Sequence, residues 1–186
     1  MAKAKHKKKF FDVEIPLIRK TTQLQAYTLT ELNKRIIKYD LTRILKGKSI
    51  LLQLEVKVDG EKITTTPIKT KIMPYFLKKM VRKGTNYVED SFSTPCQDGQ
   101  IRIKPFLITR RKVSRRVRKA LREKAHEELV NYAKDKKIET IFEDLLKNSI
   151  QKPLSLKLKK IYPLSVCEIR FLKVEKEISK QETKKE

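Results

Sequence analysis

The sequence has no tryptophan, only four glycines, two histidines and two cysteines, and far fewer acids than bases. Each shortage excludes something. Cys96 and Cys167 are too few for a disulfide framework or a metal-ligand set, so two reduced thiols in a cytosolic protein are expected. His6 lies among lysines and His126 falls in a helical pattern off its apolar stripe. Neither has a Cys or carboxylate at ligand spacing, so no metal site is expected. The glycines at 47, 60, 84 and 99 all read as turns or helix ends, which leaves none for a phosphate-cradling loop. No Walker motif, nucleophile elbow or dinucleotide fingerprint is present, so neither a catalytic centre nor a cofactor is expected. No apolar run approaches the about 20 residues of a bilayer span. The start, MAKAKHKKKFFDVEIPLI, is interrupted at Asp12 and Glu14, so no secretory leader is expected.

What is present is charge. Lys and Arg number 46 against 22 Asp and Glu, a formal net charge of +24. Such a surplus opposes compaction and attracts polyanions, nucleic acid first and an anionic membrane surface second. The apolar share of 39% and charged share of 37% describe a globular chain with solvated ends.

The chain divides into residues 1–10, a basic flexible arm; residues 11–175, a single α+β domain; and residues 176–186, a charged flexible tail. FFDVEIPLI reads as a first strand near an edge, because of Pro16, and RIIKYDL at 35–41 as another. Alternation flanks Asp59-Gly60 and again Asp98-Gly99, predicting two hairpins with type I′ turns. Between them PYFLKKMVRKG reads as a short helix with Pro74 in its first turn and Gly84 closing it. Ser114 is an N-cap for a long helix with the stripe Val117, Ala120, Leu121, Ala125, Leu129 and Tyr132. KIETIFEDLLKN follows as a second helix. PLSLKLKKIYP fits a strand or, preferred here, a helix from Pro153 ended by Pro163. LSVCEIRFLKVE is a strand apolar enough to be central in its sheet.

The long helix poses an electrostatic problem. Arg110, Arg111, Lys112, Arg115, Arg116, Arg118, Lys119 and Arg122 crowd its entrance with no acid between them. On a helical wheel Arg115, Arg118, Lys119 and Arg122 share one arc, and Arg116 lies nearer the core edge. First-turn cations oppose the helix dipole by about 0.3–1 kcal/mol each. Like charges three or four apart add a further few tenths. Phosphates reverse these signs, because anions complement the dipole and neutralise the arginines. Arginine also outnumbers lysine across 110–124, the reverse of the whole chain, and its planar fork suits bidentate phosphate contacts. The chain has neither zinc-finger spacing nor RNP-like aromatic strands, which favours backbone recognition of folded RNA. A free nucleic-acid-binding regulator or chromatin-type protein is the alternative. An RNA-processing enzyme built on Glu89-Asp90 ranks last, since a turn or a basic neighbour accounts for that pair.

Three stretches then carry a resemblance: MVRKGTNYVEDSF (80–92), IRIKPFLITRRKVSRRVRKALRE (101–123) and LKLKKIYPLSVCEIRFLKVE (156–175). In this order and spacing, with the VDGEK hairpin, they resemble the archaeal and eukaryotic small-ribosomal-subunit protein family S-three-A-e, also called e-S-one, in its archaeal type. The resemblance covers most of residues 35 to 175. It implies an α+β fold, a mixed, largely antiparallel β-barrel-like sheet with two or three helices. It also implies a structural constituent of the small subunit, cytoplasmic and ribosome-bound. That constituent binds small-subunit rRNA on the platform near the 3′ end and the mRNA exit. The implied partners are neighbouring platform proteins and mRNA at the exit. The implied RNA-binding residues are Lys3, Lys5, Lys7, Lys8 and Lys9 in the arm, the pair Arg82 and Lys83, and the helix entrance with Ser114.

Overall fold

Period-two alternation builds most of the molecule. The computed structural model describes residues 7–60 and 62–177; Lys3, Lys5, His6 and the expected tail from residue 178 onward lie outside them. Among the described residues a seven-stranded antiparallel sheet takes β3 (Ile36–Asp40), β4 (Ile50–Asp59), β5 (Lys62–Ile72), β9 (Leu164–Glu177), β8 (Gly99–Thr109) and β6 (Tyr87–Glu89) in that order. β7 (Phe92–Cys96) shares the β8 edge with β6. A separate pair, β1 (Lys9–Ile15) and β2 (Lys20–Ala26), packs against β5, where the Thr65 hydroxyl donates to the Glu14 carbonyl at 3.1 Å. The fold is thus α+β with an antiparallel sheet. The sheet does not close, because β3 at one end and β6 with β7 at the other remain edges.

β4 shows how the pattern works. Ile50, Leu52, Leu54 and Val56 are buried while the residues between them are not. Pro67 sits on β5 opposite Leu54, and the register slips there so that Ile68 is an extra residue. A bulge is where a strand tolerates a residue with no N–H. β9 is central, pairing with β5 on one side and along β8 on the other.

Several expectations shift in detail. The first hairpin reverses after Asp59 and not at Asp59-Gly60, since Asp59 pairs with Lys62. Gly60 has φ +64, which explains the glycine. In the second hairpin Cys96 pairs with Gly99, so the loop is Gln97-Asp98 and Gly99 belongs to the strand. Lys9 and Phe10 of the expected arm are already paired with Ala26 and Gln25, and Lys176 and Glu177 of the expected tail lie in β9.

Among the described residues the α-helices are α1 (Pro74–Met80), α2 (Arg115–Lys134), α3 (Ile138–Leu146) and α4 (Gln151–Lys159), at the four segments read as helical from the sequence. Pro74 opens α1, but the helix stops at Met80, and Gly84 belongs to the turn after it. α4 starts two residues before Pro153 and ends well short of Pro163. Leu121, Ala125, Leu129 and Ala133 of α2, Ile141, Phe142 and Leu145 of α3, and Leu154 and Leu158 of α4 fill one core with the sheet.

A polar network joins α2 to α3. Lys136 Nζ reaches Asp144 at 2.6 Å and the Tyr132 hydroxyl at 2.7 Å, and that hydroxyl donates to the same carboxylate. Burial alone would push the Asp144 carboxyl up, yet Lys136 and Tyr132 outweigh it and hold it below the usual range. A carboxyl depressed on folding stabilises fully above its unfolded value of about 3.9 and loses that contribution as pH falls through the folded value. Thermal melts from neutral pH into acid should therefore show Asp144→Asn starting lower and losing less on acidification than the parent. Parallel acid limbs would mean the network carries no stability.

Candidate nucleic-acid interface

The entrance to α2 is fixed by neutral side chains. Ser114 is extended, with φ −65 and ψ 163, and its hydroxyl accepts the Val117 N–H at 3.4 Å, as an N-cap should. Before it, β8 ends at Thr109, whose hydroxyl accepts the Asn86 N–H at 3.0 Å and lies 2.7 Å from the Arg111 carbonyl. Asn86 Oδ1 in turn accepts the Val113 N–H at 2.8 Å. The β8–α2 link is therefore tied at both ends to Asn86, three residues after Lys83. That clamp brings Arg82 and Lys83 into the same neighbourhood as Arg110, Arg111 and Lys112, all exposed. At the far end of α2 the β7–β8 hairpin holds the helix: the Gln97 N–H donates to the Lys136 carbonyl at 3.2 Å and its side-chain amide to the Asp135 carbonyl at 2.9 Å.

Along the helix the cations split into two groups. In the second half Lys124 reaches Glu127 at 2.8 Å and Glu128 at 3.5 Å, and Lys157 of α4 also reaches Glu128. Lys157 chiefly, helped by Lys124, holds the Glu128 carboxyl below its ordinary value against the effect of burial. In the first half only Lys119 finds an acid among the described residues, Glu123 at 3.7 Å, with both side chains largely in solvent. Among the described residues no carboxylate bridges Arg110, Arg111, Lys112, Arg115, Arg116, Arg118 or Arg122. The helical wheel misassigned one pair. Arg116 is exposed, while Arg118 is the half-buried one, turned toward β6.

Lys7, Lys8 and Lys9 stand apart. They are exposed on or just before β1, whose sheet packs on β5, and β9 separates β5 from β8. Lys8 lies over the Tyr27 ring at 5.6 Å. The structure thus unites the helix entrance with Arg82 and Lys83 but does not bring the described arm lysines to it. Sequence reasoning missed a third group: Lys69 and Lys104 both lie over the Phe171 ring, at 5.1 and 4.9 Å, where β5, β9 and β8 meet. Only strand pairing makes them neighbours. It also missed Tyr87, an exposed aromatic on the edge strand beside α2, although the alternation in YVE sets it opposite buried Val88.

The chemically suggestive residues outside the interface have ordinary partners. Glu89 accepts from Arg170 at 2.9 Å, and Asp90 accepts the Ser91 N–H. His126 is exposed and meets the Phe92 ring edge-on, with centroids 4.2 Å apart. Burial, with help from Glu168, pushes the Cys167 thiol up to about 12, far from a reactive thiolate.

Fold and charge together define a basic α+β protein that presents an unneutralised cationic helix entrance. The class narrows further: the chain belongs to the Ribosomal S3Ae family, which matches residues 3–178, as the three stretches of sequence indicate. It is similar to Small ribosomal subunit protein eS1 of Pyrobaculum neutrophilum, with 26% identity over 175 residues, 90% of this chain and 79% of the relative. The protein of the same name from Methanothermobacter thermautotrophicus is 27% identical over 132 residues, 70% and 68% of the two chains. That of Nanoarchaeum equitans is 31% identical over 108 residues, 58% and 54%.

Proposed function

We propose that the chain is a structural constituent of the small ribosomal subunit. In this reading it binds small-subunit rRNA on the platform, near the 3′ end and the mRNA exit, beside neighbouring platform proteins. The observation that carries the RNA contact is the α2 entrance, where seven guanidinium and ammonium groups have no bridging carboxylate among the described residues. Family membership and the names of the relatives support the ribosome as the place. Arg110, Arg111, Lys112, Arg115, Arg116, Arg118, Lys119 and Arg122, with Arg82 and Lys83, take phosphates, and Ser114 sets the direction of the helix that carries them. The lysine-rich start, including Lys7, Lys8 and Lys9, adds a second, separate set of phosphate contacts. The protein acts by holding RNA in place and performs no reaction on it.

Fractionating a lysate on a sucrose gradient tests this. The chain should co-sediment with the small subunit and remain there after a wash in moderate salt. Recovery solely from the post-ribosomal supernatant would overturn the assignment.

A further inference from the structure

Between β6 and the first half of α2 lies a cleft of about 360 Å³ lined by Tyr87, Glu89, Arg115, Arg118, Lys119 and Arg122. The four cations occupy helix positions i, i+3, i+4 and i+7, so they form one wall. Tyr87 on the edge strand β6 lines the cleft as well and also borders a shallower, more apolar groove of about 490 Å³ shared with Leu77, Val81 and Phe106. Its ring lies nearly parallel to that of buried Phe106, with centroids 6.2 Å apart and planes 26° apart. Beside that ring, Tyr87 is still 57% exposed. An aromatic ring held next to a buried neighbour and left open is a stacking platform.

One further detail fits a phosphate-bearing occupant. Glu89 would repel an anion if free, but Arg170 holds its carboxylate at 2.9 Å and compensates the charge. A carboxylate beside the ring remains a suitable acceptor for the exocyclic amine of a base.

We infer that this cleft receives a single unpaired nucleotide, its base stacked on Tyr87 and its flanking phosphates on Arg115, Arg118 and Arg122. The inference rests on the RNA-binding reading above and deepens it. Phosphate contacts alone are indifferent to pairing, whereas this pocket needs a base outside a helix. The apolar groove next to it could instead seat a segment of a neighbouring protein, but the wall of four cations favours the nucleotide.

The test uses the full chain and two probes at matched salt. One is a single-stranded RNA ten-mer carrying 2-aminopurine; the other is a blunt RNA duplex with the same number of phosphates. Binding of the single strand should quench 2-aminopurine. Tyr87→Ala should abolish the quench and weaken single-strand binding by about ten-fold, leaving duplex affinity unchanged. Tyr87→Phe, which keeps the ring, should bind the single strand with the parent's affinity, and the unchanged duplex affinity of Tyr87→Ala excludes a folding defect. Equal weakening of both probes, no weakening of either, or no quench with the parent chain overturns the pocket and leaves the groove to a protein segment. Those outcomes leave backbone binding of RNA intact; failure of the parent chain to bind the duplex would count against that broader reading instead.

Discussion

Replacing Arg115, Arg116 and Arg118 together with glutamine should flatten the dependence of log affinity for small-subunit rRNA on log salt by about 2–3 units, while the free protein melts no lower than the parent. The first half follows from counterion release: each phosphate contact contributes roughly 0.7–0.9 to the slope. The second half follows from geometry. All three residues lie in the first turn of α2, where the dipole disfavours cations, and no carboxylate bridges them among the described residues. Removing them takes away repulsion between Arg115 and both Arg118 and Lys119 and breaks no ion pair. Ser114 and Val117 stay, so the N-cap is intact. Arg118 deserves a single variant of its own, because it is half-buried and its stem packs against β6. A fall in melting temperature in that variant, absent when Arg115 or Arg116 alone is replaced, would assign it a packing role in addition to a binding one. A large fall in the triple variant with an unchanged salt slope would make the whole cluster structural and remove the basis for the RNA contact.

The elements most legible in the sequence are those whose burial has a local period. β4 and β5 announce themselves by alternation, and α2 by a cap followed by a stripe. α4 is the instructive case, since Leu154, Leu156 and Leu158 fit either period. As a strand all three would share a face. Leu154 and Leu158 are buried and Leu156 is 68% exposed, so the four-residue spacing wins. β2, KTTQLQA, has too little apolar content to signal itself and exists because β1 pairs with it along its length. Both Asp-Gly pairs indicate a reversal correctly but not its frame, which is set by the cross-strand partners of Asp59 and Cys96. The charge of the interface was likewise local and readable, a run of arginines within one stretch of chain. Its shape was not. Tyr87 borders the cleft beside α2 only because β6 pairs with the end of β8, and Glu89 is neutralised by Arg170 from the far end of the chain. Long-range pairing of this kind leaves no periodic trace in either partner.

Leu121→Ala and Arg122→Ala, one residue apart on α2, should separate stability from binding. Leu121 has none of its surface exposed and belongs to the core that α2 shares with the sheet. Truncating it leaves a cavity and removes about 2–5 kcal/mol, which at this chain length lowers the melting temperature by roughly 5–20 °C. Below that transition the helix keeps all its cations, its cap and the Gln97 contacts at its other end, so affinity for RNA and its salt slope should match the parent. Arg122 is exposed, forms part of the cationic wall of the cleft and has no acidic partner among the described residues. Its loss should leave the melt within about 0.5 kcal/mol of the parent and reduce the salt slope by a single contact. Calorimetric or circular-dichroism melts and salt titrations of the same preparations measure both quantities. If Leu121→Ala weakened binding in the folded protein as much as Arg122→Ala, recognition would depend on the exact seating of the helix. Independence of the two effects would instead mean that the sheet and core serve as a rigid mount, and that the cations at the α2 entrance do the binding.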